Sequence, residues 1–250
     1  NDASNFFGRQ KTINQLLDRL REDDSNARFL TVIGPSGIGK SSVVRAGVIP
    51  SLRQGALPGS DQWFIADLIP SDQPLARLES ALLSVARSSD DRIMQSLTDD
   101  ENGLHHVLNR ILQNDEQLLL VVDQFEELFT LADDQQARRF MSLIVDAIRA
   151  DNSRLRFIAT LRADFYDRPL AYAEFGELVR DRTEIVLPMS KQELHDAIVL
   201  PAENVGLELE DGLSEAIIAD LKEQPGALPL LQYALSETFS RREGNKLTLH

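Results

Sequence analysis

The sequence predicts an α/β fold: a five-stranded parallel sheet with helices on both faces, followed by a small all-helical subdomain. Three observations predict it. Short apolar runs alternate with segments of helical apolar spacing, the order that builds parallel sheets. One of those runs, "QLLLVV" (Gln117 to Val122), is apolar after its first residue, as a strand buried on both faces must be. Beyond Pro188 the strand signals stop, and helical patterns dominate to about Phe239.

The elements follow in order. "QKTINQLLDRL" places Ile13, Leu16, Leu17 and Leu20 on one helical face. "RFLTVIG" is the first strand, and Ser41 to Ile49 reads as a helix. "LRQGALPGSDQ" is a turn-rich loop. Trp63 to Ile69 is a second strand, then helices run over Leu75 to Arg87 and Gly103 to Leu112. After the "QLLLVV" strand a long helix spans about Glu126 to Arg149, with a break at Asp133-Asp134. Leu155 to Leu161 and Thr183 to Pro188 are the fourth and fifth strands. Ser190 and Glu193 then form a capping box, the start signal of the helical part.

Bulk properties narrow the function. The chain has 250 residues, 42% of them hydrophobic, enough for one large core with a small attachment. The net charge of −14 argues against a broad nucleic-acid surface, which needs clustered Lys and Arg. No run is long and apolar enough to span a membrane. The absence of Cys excludes disulfides and thiolate metal sites and is compatible with the cytoplasm. The chain opens at Asn1 without a Met and stops inside the strand-like "NKLTLH". That reads as a piece of a longer protein.

The loudest stretch is "TVIGPSGIGKSSVV" (Thr31 to Val44), in which Gly34, Gly39, Lys40 and Ser41 complete G-x-x-x-x-G-K-[ST]. Glycines let the backbone curl so that successive N–H groups point at phosphate oxygens, and the following helix adds partial positive charge. Lys40 is expected to reach the β- and γ-phosphates, and the Ser41 hydroxyl to ligate Mg²⁺. Ser36, Gly37, Ile38 and Ser42 complete the expected nucleotide contacts. A strand before the loop and a helix after it are the context of a P-loop NTPase.

"VVDQFEELF" (Val121 to Phe129) supplies acids. Asp123 falls where the third strand ends, the edge at which open α/β folds bind ligands, and is the expected Mg²⁺ residue. Glu126 and Glu127 follow as candidate general bases, with the sequence giving no choice between them. Either could simply favour a helix N-terminus. The strand at Trp63 lies in sequence between the phosphate loop and Asp123, the AAA-like insertion. The guanine signature N-K-x-D is missing, which argues against a GTPase. The His105-His106 pair has no ligand-spaced partners.

Four features together resemble one family. They are "FFGRQ" (Phe6 to Gln10), the phosphate loop with "VVDQFEELF", "ATLRADF" (Ala159 to Phe165) and "GALPLLQYAL" (Gly226 to Leu235). Their wording and order are similar to the STAND class of signalling ATPases, most of all its bacterial branch often fused to WD-repeat propellers. The resemblance implies that Phe7, Gly8 and Arg9 line an adenine pocket. It places Thr160 and the sensor Arg162 near the γ-phosphate. It sets Pro229 of the lid, in the Ala227 to Pro229 motif or on Gly226 read loosely, against the adenine face. The residue after the Mg²⁺ acid is often acidic in such ATPases and is Gln124 here, which implies slow hydrolysis.

The resemblance further implies a division into a core (1–188), a lid (189–242) and the start of a winged-helix-like domain (243–250). It implies ATP or ADP with Mg²⁺ as ligands, self-association in the ATP state, and flanking effector and sensing domains. Two rivals remain open: an AAA-type motor or DNA loader, and a scaffold locked on ADP with negligible turnover.

Overall fold

The structure, a computed structural model, describes residues 6–22, 25–87, 91–113, 115–221, 227–242 and 244–248. The chain packs as two compact units. One comprises Leu16–Gly34 and Leu52–Ile185; the other comprises Asn1–Gln15, Pro35–Ser51 and Val186–His250.

The first unit holds the five-stranded sheet. Its strands are β1 (Phe29–Gly34), β2 (Phe64–Leu68), β3 (Leu118–Val122), β4 (Leu155–Arg162) and β5 (Thr183–Ile185). They lie in the order β2-β3-β4-β1-β5, and every pairing is parallel. β1 and β3 are buried at every position; β3 is apolar throughout, and β1 is apolar apart from Thr31 and its closing glycine. Helices Pro74–Val85, Ile93–Asp99, Gly103–Ile111, Asp134–Arg149 and Ala173–Asp181 contribute buried faces to the core around the sheet. Phe29 stacks on Phe157 with ring centroids 5.0 Å apart, and Phe125 stacks on Phe175 at 5.4 Å.

The helical stretch after β3 breaks where the sequence placed the break, into Glu127–Thr130 and Asp134–Arg149. Asp133 caps the second, its carboxylate accepting from Gln136 N at 2.8 Å. β5 ends at Ile185, short of the expected Pro188. Its ladder with β1 runs from Thr31 opposite Thr183 to Ile33 opposite Ile185, one residue before β1 itself ends at Gly34.

In the second unit the capping box forms as expected. Ser190 Oγ accepts from Glu193 N, and Glu193 Oε2 accepts from Ser190 N at 2.7 Å. Helices Lys191–Asn204, Leu213–Leu221 and Ala227–Ser240 pack through Leu194, Ile198, Ile218, Leu221 and Leu231. Two short strands, Glu208–Leu209 and Lys246–Leu247, pair in parallel. Gly226 and residues 243, 249 and 250 lie outside the described residues.

Candidate functional site

Two clusters carry the predicted chemistry, one in each unit. The first is the phosphate loop with its surroundings. From Pro35 the chain turns through Gly37 and Gly39, at φ of 73° and 93°, into a helix that begins Lys40–Ser42. A side chain in that left-handed region costs about 1–2 kcal/mol, so both turns call for glycine. The helix widens into a π-helical run, Val43–Val48, in which Ile49 N donates to Val44 O. Gly47 sits in this run, where an added Cβ would lie 2.5 Å from Ile13 Cδ1.

Lys40 is buried, and its Nζ donates to Pro35 O at 2.9 Å, closing the loop on itself. Ser41 is half-buried, while Ser36, Gly37 and Ser42 are exposed. Arg9 is 3% exposed and ties two segments together. One terminal nitrogen donates to Ile38 O in the loop and the other to Leu187 O, each at 2.8 Å. Its Nε is buried without a hydrogen-bond partner. Burial pulls the Arg9 guanidinium below its ordinary value, and the nearby Glu193 opposes that shift.

Gly8 takes φ 81°, and nothing larger fits there: a Cβ would lie 2.2 Å from Glu193 O. The neighbouring walls enclose a cavity of about 170 Å³, lined by Phe6, Phe7, Arg9, Gly39, Ser42, Met189, Ala197 and Leu228. Phe7, Arg9, Gly39 and Ser42 were legible as candidates; Phe6, Met189, Ala197 and Leu228 were not. Leu228, rather than the adjacent Pro229, lines the cavity, and Pro229 is exposed. Successive helical residues point about 100° apart, and the sequence alone does not fix the rotation of a short helix.

The second cluster stands at the carboxyl ends of β3 and β4. Asp123 is buried, and Thr160 Oγ1 donates to its Oδ1 at 2.6 Å. Gln124 N donates to the same oxygen at 3.1 Å and to Thr160 Oγ1 at 3.0 Å. To do so Gln124 adopts φ 52°, a left-handed backbone at a non-glycine residue. Phe125, 1% exposed, anchors the turn in the aromatic core, and Phe125 N donates to Thr160 O. Glu126 is thereby held against β4, where its Oε2 accepts from Arg162 N at 3.3 Å. Glu127 opens the next helix.

Thr160 and Arg162 share one face of β4, in register with Val32 and Gly34 of β1. The Arg162 guanidinium is held by Asp164, with contacts of 3.0 and 2.7 Å to the two carboxylate oxygens. That carboxylate raises the Arg162 pKa above its ordinary value.

The family model of novel STAND NTPase 1 matches residues 1–250. The chain belongs to that family. This STAND NTPase matches no curated protein sequence. Its fold is similar to several solved structures. With Saccharomyces cerevisiae Hsp104 in complex with casein the TM-score is 0.60 at 17% identity, covering 96% of this chain and 39% of that one. With Aeropyrum pernix ORC1 in complex with DNA it is 0.58 at 18%, covering 95% and 62%. With Pyrobaculum aerophilum Cdc6p it is 0.60 at 16%, covering 93% and 62%. The chain thus spans less than two thirds of each of these chains. The likeness is one of fold: a P-loop NTPase module with the AAA-like strand order. Among the described residues no helix is long and apolar enough to cross a membrane.

Proposed function

We propose that this STAND NTPase is the nucleotide-controlled switch of a larger signalling protein, binding ATP or ADP with Mg²⁺ and hydrolysing ATP slowly. The observation that carries this reading is the cavity of about 170 Å³. Its walls come from the phosphate loop, from the segment before the first helix and from the helices after Pro188. A ligand held there touches loop and lid together, so its presence biases the lid between arrangements.

The residues fit an adenine nucleotide. An engineered cavity of about 150 Å³ accepts benzene, so this one has room for a flat ring. The unpaired Arg9 Nε offers a buried donor to a ring nitrogen. Apolar walls from Phe6, Phe7 and Leu228 suit stacking, and the absence of N-K-x-D disfavours guanine. The glycine turn and Lys40 suit the phosphates, with Gly34, Ser36, Gly37, Ile38 and Ser42 as further contacts.

Ser41 and Asp123 offer the hard oxygens that Mg²⁺ takes alongside phosphate and water. Bound there, the ion would neutralise charge developing on the transferred phosphoryl group. Thr160 orients the Asp123 carboxylate. Arg162 would read the terminal phosphate. Glu126 is the preferred general base, because its carboxylate is fixed beside β4 through Arg162 N; Glu127 is the second candidate. Gln124, where an acid is common, supports slow turnover.

On this reading the helices of 189–242 are the lid, Pro229 is part of its nucleotide-facing segment, and a winged-helix-like domain begins at 243. Effector and sensing domains flank the module, it self-associates in the ATP state, and it works in the cytoplasm. The net charge of −14 disfavours a broad nucleic-acid surface on this module.

The test is a titration of ATP, ADP and GTP into the wild type and Lys40→Ala. Wild type should bind adenine nucleotides more tightly than GTP, and the variant should lose tight binding. Unchanged affinity in Lys40→Ala would remove the phosphate loop from the account. Single-turnover hydrolysis then separates a slow ATPase from a scaffold locked on ADP.

A further inference from the structure

An open cavity of about 500 Å³ lies in the first unit, between helix Asp134–Arg149 and the start of helix Ala173–Asp181. Pockets for small organic ligands span about 300–1,000 Å³, so this one has the volume for a whole small molecule. The core side chains Met141, Val145 and Phe175 give it apolar walls. Phe175 stacks on Phe125, which fixes that wall in place.

The charges at the rim are unequally matched. Arg138, Ser142 and Asp146 follow at four-residue steps on one face of their helix, about 12 Å from first to last. At one end Arg138 Nε donates to Asp134 at 2.7 Å, and the guanidinium lies over the Tyr172 ring, 5.0 Å from its centroid. The Tyr172 hydroxyl donates to the same Asp134 at 3.1 Å. Glu174, on the facing wall, pairs with Arg149 at 2.9 Å. Asp146, at the other end, accepts from the Ser142 hydroxyl at 3.1 Å, and among the described residues no Arg or Lys forms an ion pair with it. Burial pushes the Asp146 carboxyl above its ordinary value, the Ser142 hydroxyl pulls it back, and the Glu174 carboxylate pushes it up again. A cation bound beside Asp146 would offset both unfavourable effects. An anion has less to find here. The N-terminal end of helix Ala173–Asp181 would favour one, but Glu174 already stands in that first turn.

We propose that this cavity binds a small organic cation, a protonated amine carrying an apolar body. The ammonium donates to the Asp146 carboxylate. The Ser142 hydroxyl, which donates to Asp146, keeps lone pairs to accept from the same ammonium. The apolar body lies along Met141, Val145 and Phe175. Every wall belongs to the first unit, so this site stands apart from the phosphate loop and does not rest on the nucleotide-binding reading.

The experiment titrates four probes into the protein and follows the backbone amide shifts of Asp134–Arg149 and Ala173–Asp181. The probes are 2-phenylethylammonium, the neutral 2-phenylethanol, the anion phenylacetate, and ethylammonium, which lacks the ring. The phenylethylammonium should bind saturably at these helices. The alcohol should bind about tenfold or more weakly, the factor that a hydrogen bond to a charged group supplies. Ethylammonium should lose a similar factor for want of an apolar body, and phenylacetate should not bind. Asp146→Asn should bind the ammonium and the alcohol alike, and Ala173→Phe, which fills the cavity from its rim, should weaken both. Equal binding of ammonium and alcohol by wild type would overturn the proposal, as would tighter binding of phenylacetate. So would equal binding of the two ammonium ions, which would mean a carboxylate attracting any cation. A preference for the ammonium that survives in Asp146→Asn, or unchanged binding in Ala173→Phe, would place the ligand elsewhere and overturn it too. The comparison of probes on wild type decides the matter even where a variant does not fold.

Discussion

The Thr160 hydroxyl donates to Asp123 Oδ1 at 2.6 Å, across the pair of strands β3 and β4, with both side chains buried. One sheet neighbour thus sets the direction of the carboxylate proposed to hold Mg²⁺. Thr160→Val keeps the shape and removes the donor, leaving Gln124 N on that oxygen. A hydrogen bond to a charged group contributes about 1.5–3 kcal/mol, so denaturant unfolding should show a loss in that range. Mg²⁺-dependent nucleotide affinity should fall as well. Thr160→Ser should restore both, and a Val variant with wild-type Mg²⁺ dependence would show that the bond orients nothing.

Gly8 has no room for a side chain and sits at φ 81°. Gly8→Ala should therefore cost about 2–4 kcal/mol, from the overpacked Glu193 carbonyl and the left-handed backbone together. Urea unfolding measures it. A wild-type midpoint would mean that the segment before the first helix does not pack as described.

Thr31 in β1 is 1% exposed, and its hydroxyl has no hydrogen-bond partner. Thr31→Val replaces an unsatisfied polar group by a methyl of the same shape. Stability should rise by about 1 kcal/mol in thermal or chemical unfolding. A loss instead would reveal that the hydroxyl is bonded.

Glu126→Gln keeps an oxygen to accept from Arg162 N but cannot take a proton. It should bind ATP with near wild-type affinity and turn over more slowly by about a hundredfold or more in single-turnover assays, the low end being set by the usual gain from a general base. Glu127→Gln should leave turnover within a few-fold of wild type. The reverse pattern would assign the base to Glu127.

Much of this was legible in the sequence, for physical reasons. β1 and β3 announce themselves because burial on both faces demands mostly apolar runs, broken in β1 only by Thr31, and the phosphate loop because a backbone cradle demands glycine. The helices Ile93–Asp99 and Ala173–Asp181 escaped notice. Each is under three turns long, and in the second only Phe175, Gly176, Leu178 and Val179 are buried, a short signal among charges. The joining of Asp123, Thr160 and Glu126 was half legible. Their positions at strand ends follow from the pattern. The left-handed Gln124 that turns the chain back onto Thr160 does not, since nothing in a glutamine signals that backbone. The cavity walls Met189, Ala197 and Leu228 come from packing between segments distant in sequence, which local patterns do not encode.

The central claim is that a bound nucleotide governs the helices after Pro188, and amide hydrogen exchange with and without ADP tests it most directly. The cavity joins Gly39 and Ser42 of the loop helix to Ala197 and Leu228 of the lid helices. ADP should slow exchange in Lys191–Asn204 and Ala227–Ser240 as well as around the loop. Leu228→Ala should reduce the gain in the lid helices while leaving Lys40-dependent binding largely intact. Protection confined to the loop, with the lid helices exchanging equally in the presence and absence of ADP, would contradict the claim.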